Sequence, residues 1–238
     1  FLSSESYFRD IFIPYSKFID SFIAVSNFVK TKISEAHPEL EKKTTTIYNF
    51  SRTFSQHNYM GNYFLYFGRL SREKGLPNLL KAFKKLEGLQ LKIVGDGELK
   101  KEIEEEKSVN VDLVGYKSGI ELEKIIQNAF FVIASSECYE TNSMVIVESY
   151  SIGKPVIGAK IGAIPELIIE NKTGFLFDSK NLESLVNILL HSTTISKSEY
   201  ENMGNNAFKF ATEKFSPDQH YDLLQNVYEH SILSKKQN

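Results

Sequence analysis

The chain has 238 residues, of which 42% are hydrophobic and 24% charged, and this composition excludes a disordered or fibrous protein. Its 28 basic residues are offset by 30 acidic ones, and the net charge of -2 gives no sign of a nucleic-acid partner. The length allows one large α/β domain, or one complete domain with part of another, and we favour the second arrangement.

The single cysteine, Cys138, cannot form an intrachain disulfide, and no group of Cys and His residues has the spacing of a zinc site. A reducing, cytoplasmic compartment is therefore expected. No apolar run is long enough to span a membrane, and the N-terminus lacks the layout of a signal peptide. Because the sequence starts at Phe1 rather than Met, we expect a fragment or a processed form.

Apolar and aromatic residues recur at helical spacing over residues 4–20, interrupted by Pro14, and predict a helix that packs on the core. A membrane-surface helix is less favoured because its polar face carries both signs of charge. A strand at 21–26, a helix at 27–36 and a second strand ending at Asn49 follow. One strand pair with its helix is an incomplete layer, so this part is interpreted as the remnant of a domain.

From Tyr63 onward, short apolar strands alternate with amphipathic helices. The predicted strands lie at 63–67, 91–94, 111–114, 130–134, 155–157 and 175–177, and the helices at 76–86, 98–107, 121–129, 145–151, 165–169 and 182–191. This alternation is typical of an α/β, Rossmann-like domain with a doubly wound parallel sheet, which binds ligands beyond the carboxyl ends of its strands. Two further helices close the chain, the last with Ser216 as cap, Pro217 at its first position and Gln219 as capping-box partner.

The first candidate site is the segment 68–75, which joins a predicted strand to a helix. Gly68 permits a sharp turn, and Arg69 and Lys74 are placed to reach a common anion, for which a diphosphate is the natural choice. Taken alone this motif is weak, because surface loops often carry Arg and Lys. A second loop, 95–98, lacks the third glycine of a dinucleotide fingerprint, so a nicotinamide cofactor is not predicted.

Two glutamates, Glu140 and Glu148, stand eight residues apart after the strand 130–134. Glu148 is flanked by apolar residues, and a buried carboxylate needs hydrogen-bond donors, which a pair of sugar hydroxyls could supply. Eight helical residues would span about 12 Å, enough to reach across a diphosphate from one sugar ring to another. Residues 141–143 suit the start of this helix, where free N–H groups favour phosphate. Two unrelated solvated glutamates are the simpler alternative.

A last candidate segment, 158–166, combines small residues with Glu166. Its glycines, including Gly162, leave room for a ligand to approach the backbone. Glu166 could belong to such a site, or it could be the first-turn acid of a short helix with a purely structural role, and the sequence leaves both open.

The chain resembles the retaining glycosyltransferases of the large family 4 type, with the GT-B fold of two facing Rossmann-like domains, in the ordered motifs GRLSREKG, IVGDGE, SSECYETNSMVIVESYSIGKPVIGAKIGAIPELI and TGFLF. The likeness runs from about Tyr63 to the end, and segments 20–26 and 47–49 resemble the close of that family's first domain. It implies a division into 1–55, the terminal part of an incomplete N-terminal (acceptor) domain plus linker; 56–215, the nucleotide-sugar-binding Rossmann-like domain; and 216–238, the C-terminal helix.

The resemblance implies transfer of a sugar, with retention, from a nucleotide-diphosphate sugar to a glycan, lipid-linked or small-molecule acceptor. The catalytic residues would be Arg69 and Lys74, which hold the diphosphate and offset its charge as it leaves, and Glu140, which lies near the transferred sugar. Glu148 would bind the nucleotide ribose. The residues implied to bind the donor are Gly68, Arg69, Lys74, Gly115, Tyr116, Glu140, Thr141, Asn142, Ser143, Met144, Val145 and Glu148. No metal or other cofactor is required, because Arg69 and Lys74 supply positive charge.

The sequence departs from the family pattern at two positions. Thr141 follows the first glutamate where a glycine is usual, and Ala163 replaces the second glycine of the Gly-Gly-x-Pro-Glu stretch. Other hypotheses stay open: an isolated donor-binding module without activity of its own, a nucleotide-sugar epimerase of GT-B fold, or a phosphorylase, for which no cofactor lysine is identified. Peripheral association with the cytoplasmic face of a membrane, through the missing N-terminal domain, is also kept open.

Overall fold

A computed structural model describes residues 18–236, apart from 53–55 and 58. The helix predicted over 4–20 lies outside the described residues except for its last three, which are not helical. The described chain contains two parallel sheets, one of two strands and one of six.

The smaller sheet is formed by residues in the N-terminal part of the described chain. Strand β1 (Phe22–Ala24) pairs in parallel with β2 (Thr44–Thr46), and helix α1 (Asn27–Ala36) with a following 3-10 turn (Pro38–Lys43) connects them. Ser26 caps α1 with its hydroxyl, as expected for a serine that precedes a helix. Two parallel strands with one crossover helix match the predicted incomplete layer.

The larger sheet is the doubly wound parallel sheet that the sequence predicts. Its strands are β3 (Phe64–Phe67), β4 (Leu91–Val94), β5 (Val111–Gly115), β6 (Val132–Ala134), β7 (Val156–Ala159) and β8 (Gly174–Phe177). They lie in the order β5-β4-β3-β6-β7-β8, and every neighbouring pair is parallel. The strand order reverses between β3 and β6, and ligands of such sheets bind in the crevice beyond the carboxyl ends at this point.

Helices cover both faces of this sheet. They are α2 (Leu76–Lys85), α3 (Lys100–Glu106), α4 (Gly119–Gln127), α5 (Met144–Ser151), α6 (Ile164–Leu167), α7 (Leu182–Ser192), α8 (Lys197–Lys214) and α9 (Pro217–Lys236). The central strand β3 is therefore buried on both sides: Phe64 and Tyr66 join one apolar cluster, and Leu65 and Phe67 join the other. A continuous apolar strand is typical of a parallel sheet between two helical layers.

Helix α3 begins at Lys100, later than the prediction of a helix over 98–107. The residues before it bond to a neighbouring loop: Leu99 N–H donates to the Leu70 carbonyl at 3.0 Å, and Leu70 N–H donates to the Asp96 carbonyl at 2.9 Å. Their backbone groups thus tie the loop after β4 to the loop after β3.

The predicted capping box of α9 is half formed. The Ser216 hydroxyl accepts a hydrogen bond from Gln219 N–H at 3.2 Å, and Pro217 occupies the first helical position. The Gln219 side-chain oxygen is buried and has no partner among the described residues. The serine alone therefore provides the side-chain cap.

Lys154 is a fully buried lysine next to β7. Its ammonium group donates to the carbonyl oxygen of Tyr59, to that of Ala129 at 3.1 Å, and to the hydroxyl of Tyr200 at 3.5 Å. These three oxygen atoms are uncharged, so burial is only partly compensated and lowers the pKa of Lys154 from 10.5 to about 8.

We expect Lys154 to contribute a rise in the free energy of unfolding between pH 8 and 9.5 of up to about 1.4 kcal/mol per pH unit. In this window folded Lys154 is losing its proton, whereas the lysine of the unfolded chain keeps it until about pH 10.5. The unfolded state then binds more protons, and stability increases with pH. Denaturant titrations across the window measure the slope, which Lys154→Met should reduce and the exposed control Lys101→Met should retain. An equal slope in both variants would contradict the assignment.

Candidate functional site

A cavity of about 340 Å³ lies beyond the carboxyl ends of β3 and β6, where the strand order reverses. Its walls come from both strand ends and from the start of α5. The lining residues are Tyr66, Phe67, Gly68, Arg69, Lys74, Ile133, Ala134, Ser135, Ser136, Glu140, Asn142, Ser143, Met144 and Val145. This set brings together most of the donor-binding residues that the resemblance implies.

Lys74 and Glu140 form an ion pair inside this cavity. The Lys74 Nζ lies 2.5 Å from the Glu140 Oε1, although the two residues are 66 positions apart. Their side chains are only 25% and 15% exposed, so the pair is largely shielded from water. The Ser136 hydroxyl donates a short hydrogen bond to the same carboxylate oxygen. The cavity thus holds a cation, which binds anions, directly beside a carboxylate, which binds hydrogen-bond donors.

Two serines that follow β6 hold this pair in place, and sequence reasoning did not single them out. Ser136 bonds to Glu140, while the Ser135 hydroxyl donates to the Lys74 carbonyl at 2.8 Å. A Cβ atom on Gly75, whose φ is 74°, would lie 2.0 Å from the Ser135 carbonyl oxygen, so only glycine permits this approach. The available signal was the position of both serines at the end of a central strand.

Arg69 stands at the mouth of the cavity. Its side chain is 69% exposed and contacts Glu73 at 3.6 Å. The preceding Gly68 has φ 144° and turns the chain out of β3. Arg69 is therefore free to swing toward an anion, in contrast to the enclosed Lys74.

The first turn of α5 forms the opposite wall. Asn142 and Ser143 are buried there, and the Ser143 hydroxyl makes no capping hydrogen bond. The first N–H groups of a helix have no intrahelical partners, and they carry the positive end of the helix dipole. Met144 and Val145, the first two helical residues, line the cavity with them. This wall suits a phosphate group.

Glu148 lies in a neighbouring cavity of about 160 Å³, between α5 and α4. Arg52, Gly119 and Leu122 are among the residues that line it. Burial raises the pKa of Glu148. The prediction that one continuous helix covers the eight-residue step from Glu140 to Glu148 is wrong, because α5 begins only at Met144. The predicted distance of about 12 Å between the two glutamates therefore does not follow from helix geometry.

Three other residues implied to bind the donor do not line either cavity. Gly115 ends β5, two strands away from β3, and its carbonyl accepts the Gly95 N–H at 3.0 Å. Tyr116 is 69% exposed at the same edge of the sheet, and Thr141 is exposed on the loop before α5. Positive φ among described non-glycine residues occurs only at Asn171 and Lys180, so Thr141 has no need of a glycine conformation.

The segment 162–166 packs against the backbone of the loop that carries Glu140. Gly162 has φ 59°, and a Cβ atom there would lie 2.5 Å from both the backbone nitrogen and the oxygen of Glu140. Ala163 N–H donates to the Glu140 carbonyl at 2.8 Å, and Ala163 has ordinary helical angles. At Gly162, the space that was predicted to admit a ligand is therefore filled by the protein backbone.

The six-stranded parallel sheet with helices on both faces has the Rossmann-like fold of GT-B glycosyltransferases. The sequence profile of the family described as Glycosyl transferases group 1 matches residues 49–210. The chain belongs to this family.

Individual relatives agree with this assignment. The chain is 28% identical to the uncharacterized glycosyltransferase MJ1178 of Methanocaldococcus jannaschii over 82% of its own length and 56% of the relative. It is 34% identical to the lipopolysaccharide 1,2-N-acetylglucosaminetransferase of Salmonella typhimurium over 52% of its length and 37% of the relative. The chain thus spans about half of these proteins or less.

Solved structures share the fold. The UDP complex of Anabaena Alr3699/HepE superposes with a TM-score of 0.79 at 22% identity, over 90% of this chain and 65% of that one. TarM superposes with a TM-score of 0.76 at 21% identity, over 95% of this chain and 46% of that one.

Within the described residues, no helix is long and apolar enough to cross a membrane. Nor do three or more His, Cys, Asp or Glu side chains come together in that part of the chain to hold a metal ion. Metal-free chemistry stays a prediction.

Proposed function

We propose that the cavity between β3 and β6 binds a nucleotide-diphosphate sugar, and that the complete enzyme transfers the sugar with retention to a glycan, lipid-linked or small-molecule acceptor. The observation that carries this proposal is the Lys74–Glu140 pair, enclosed beside the first turn of α5. Binding of a diphosphate requires cations and free N–H groups, and binding of a sugar requires groups that accept hydrogen bonds from its hydroxyls. The cavity offers both within one space.

The chemistry follows from the charges. The bond between the anomeric carbon of the sugar and the diphosphate oxygen breaks, and a bond to the acceptor oxygen forms. Negative charge grows on the departing diphosphate, which can take up the proton that the acceptor hydroxyl loses. The first turn of α5 is fixed at the wall of the cavity, and Lys74 and Arg69 move to this charge from their partners Glu140 and Glu73, so that the three stabilise the transition state without a metal ion. When the donor binds, the Lys74 ammonium exchanges Glu140 for a phosphate group as its partner. The Glu140 carboxylate can then accept hydrogen bonds from hydroxyl groups of the sugar.

Glu148 extends the site toward the nucleoside. Its carboxylate is partly buried and shares a cavity with Arg52 and the start of α4. A ribose with two adjacent hydroxyl groups is a suitable pair of donors for it. Solved relatives carry UDP or UDP-glucose, so a uridine nucleotide is the first one to test.

Calorimetric titration of the chain with UDP, GDP, ADP and CDP tests the proposal. We expect one of them to bind at a single site, and more weakly as salt screens the phosphate contacts. Failure of all four to bind would overturn the donor-site assignment. A second titration with the corresponding nucleotide sugars then identifies the sugar.

A second candidate function is a donor-binding module without activity of its own. The smaller sheet of the described chain has only two paired strands, and the chain spans 56% or less of the curated relatives quoted above. Binding without hydrolysis or transfer would favour the module. Product analysis separates the remaining alternative, because an epimerase of GT-B fold would convert free donor into a different sugar without an acceptor.

A further inference from the structure

Glu166 contacts the first turn of α1, which belongs to the other sheet. Its Oε1 accepts a hydrogen bond from Asn27 N–H at 3.0 Å, and its Oε2 accepts one from Phe28 N–H at 3.1 Å. These are the first two N–H groups of the helix, and neither has an intrahelical partner. The third, on Val29, bonds to the Ser26 hydroxyl. A carboxylate about 140 residues away therefore completes the cap of α1.

The same stretch of the first-domain remnant contacts the loop that carries Glu140. The Asn142 amide, which is 8% exposed, donates to the Val25 carbonyl at 2.9 Å. The ring of Phe28 lies against that of Tyr139, with 5.2 Å between their centroids. These contacts flank Glu140 on both sides along the chain.

The Glu140 loop is thus enclosed from two directions. Residues 25–28 touch it from the first-domain side, and Gly162 and Ala163 touch it from the donor-domain side. Glu166 lies three residues after Ala163 and joins those two supports directly. Loss of the contact between Glu166 and α1 would therefore release the segment 25–28 from its side of the Glu140 loop.

We propose that Glu166 is a positioning residue, which holds the first-domain segment 25–28 against the Glu140 loop and so sets the geometry of the cleft in which donor sugar and acceptor meet. The catalytic consequence rests on the proposed function, whereas the contact itself does not. Glu166 touches neither cavity, so it acts through α1 and the loop rather than on the donor. Glu166 is the first-turn acid of the short helix α6, which is one of the two options that the sequence left open, but its carboxylate caps α1 rather than its own helix.

Amide hydrogen exchange, followed by mass spectrometry on the chain without donor, tests the contact. Glu166→Ala should speed exchange about 3- to 30-fold in the peptide covering residues 25–30, as expected for the loss of a capping acceptor, and also in 137–143. Exchange in β4 should stay unchanged. Glu183→Ala is the matched control, because Glu183 is a first-turn acid of α7 within one domain.

Glu166→Gln keeps one acceptor oxygen and should give an intermediate exchange rate, which also covers the case in which the alanine variant fails to fold. Unchanged exchange at 25–30 in the glutamine variant would overturn the proposal. So would faster exchange throughout the sheet, because a general loss of stability would then explain the result.

Steady-state kinetics of the full-length enzyme test the positioning role. Glu166→Ala should lower kcat at least fivefold while the KM for donor changes less than twofold, since the donor contacts stay intact. An equal effect on both parameters, or none on either, would overturn the positioning role. If the unaltered protein bound no nucleotide, the proposed function would fail, and the exchange experiment would still decide the contact.

Discussion

Replacing Lys74 by alanine should lower the turnover of the full-length enzyme by about 100- to 1,000-fold, the effect of removing one preorganised donor to a developing negative charge. Lys74 is the enclosed cation of the cavity, whereas Arg69 stands exposed at its mouth. Charge-assisted hydrogen bonds contribute about 1.5 to 3 kcal/mol each, so nucleoside diphosphate affinity should fall by about 10- to 150-fold. Steady-state kinetics and calorimetric titration measure the two effects.

The control for this prediction is Lys84→Ala. Lys84 is exposed on α2 and contributes the same charge, so its loss changes the net charge without changing the cavity. Its affinity for nucleoside diphosphate should stay within about twofold of the original, because surface charges at a distance are screened. Near-normal transfer by the Lys74 variant would mean that another group offsets the diphosphate charge.

Replacing Gly162 by alanine should lower the free energy of unfolding by about 2 to 4 kcal/mol. Two costs add up at this position. The backbone φ of 59° is unfavourable for any residue with a Cβ atom, and that atom would lie 2.5 Å from the backbone of Glu140. The loop must shift, and the Glu140 carboxylate moves with it. Denaturant titration measures the loss of stability.

Gly119→Ala separates the two costs. Gly119 has φ 56°, nearly the same as Gly162, but a Cβ atom there would meet nothing within 4 Å. Only the conformational cost of about 1 to 2 kcal/mol should therefore appear. The excess loss in the Gly162 variant reports the contact with Glu140, and equal losses in both variants would contradict it.

Much of the domain built on the six-stranded sheet could be predicted because its signals are local. Each strand from β3 to β8 is a short apolar run, and each is followed by a helix with an apolar face, so the doubly wound sheet followed without any knowledge of contacts. The helix starts were less predictable. Leu99 lies just before α3, and its N–H bonds to the Leu70 carbonyl, a contact between two different loops that no local pattern shows.

The candidate site shows the same division. Arg69, Lys74 and Glu140 could be assigned to one place because they follow strands whose carboxyl ends share an edge of the sheet. The roles of Ser135 and Ser136 could not, because a serine after a strand is common and only the packing of two loops gives these serines their partners.

By itself, then, the sequence determined the α/β class, the alternation of strands and helices and the family to which the motifs point, because these depend on residue type and spacing along the chain. Only the tertiary structure decided that Lys74 pairs with Glu140 and that Glu148 occupies a separate cavity. It also decided that the Glu166 carboxylate caps α1. Such contacts join residues up to about 140 positions apart, and a hydrogen bond depends on distances of tenths of an ångström that no local pattern encodes.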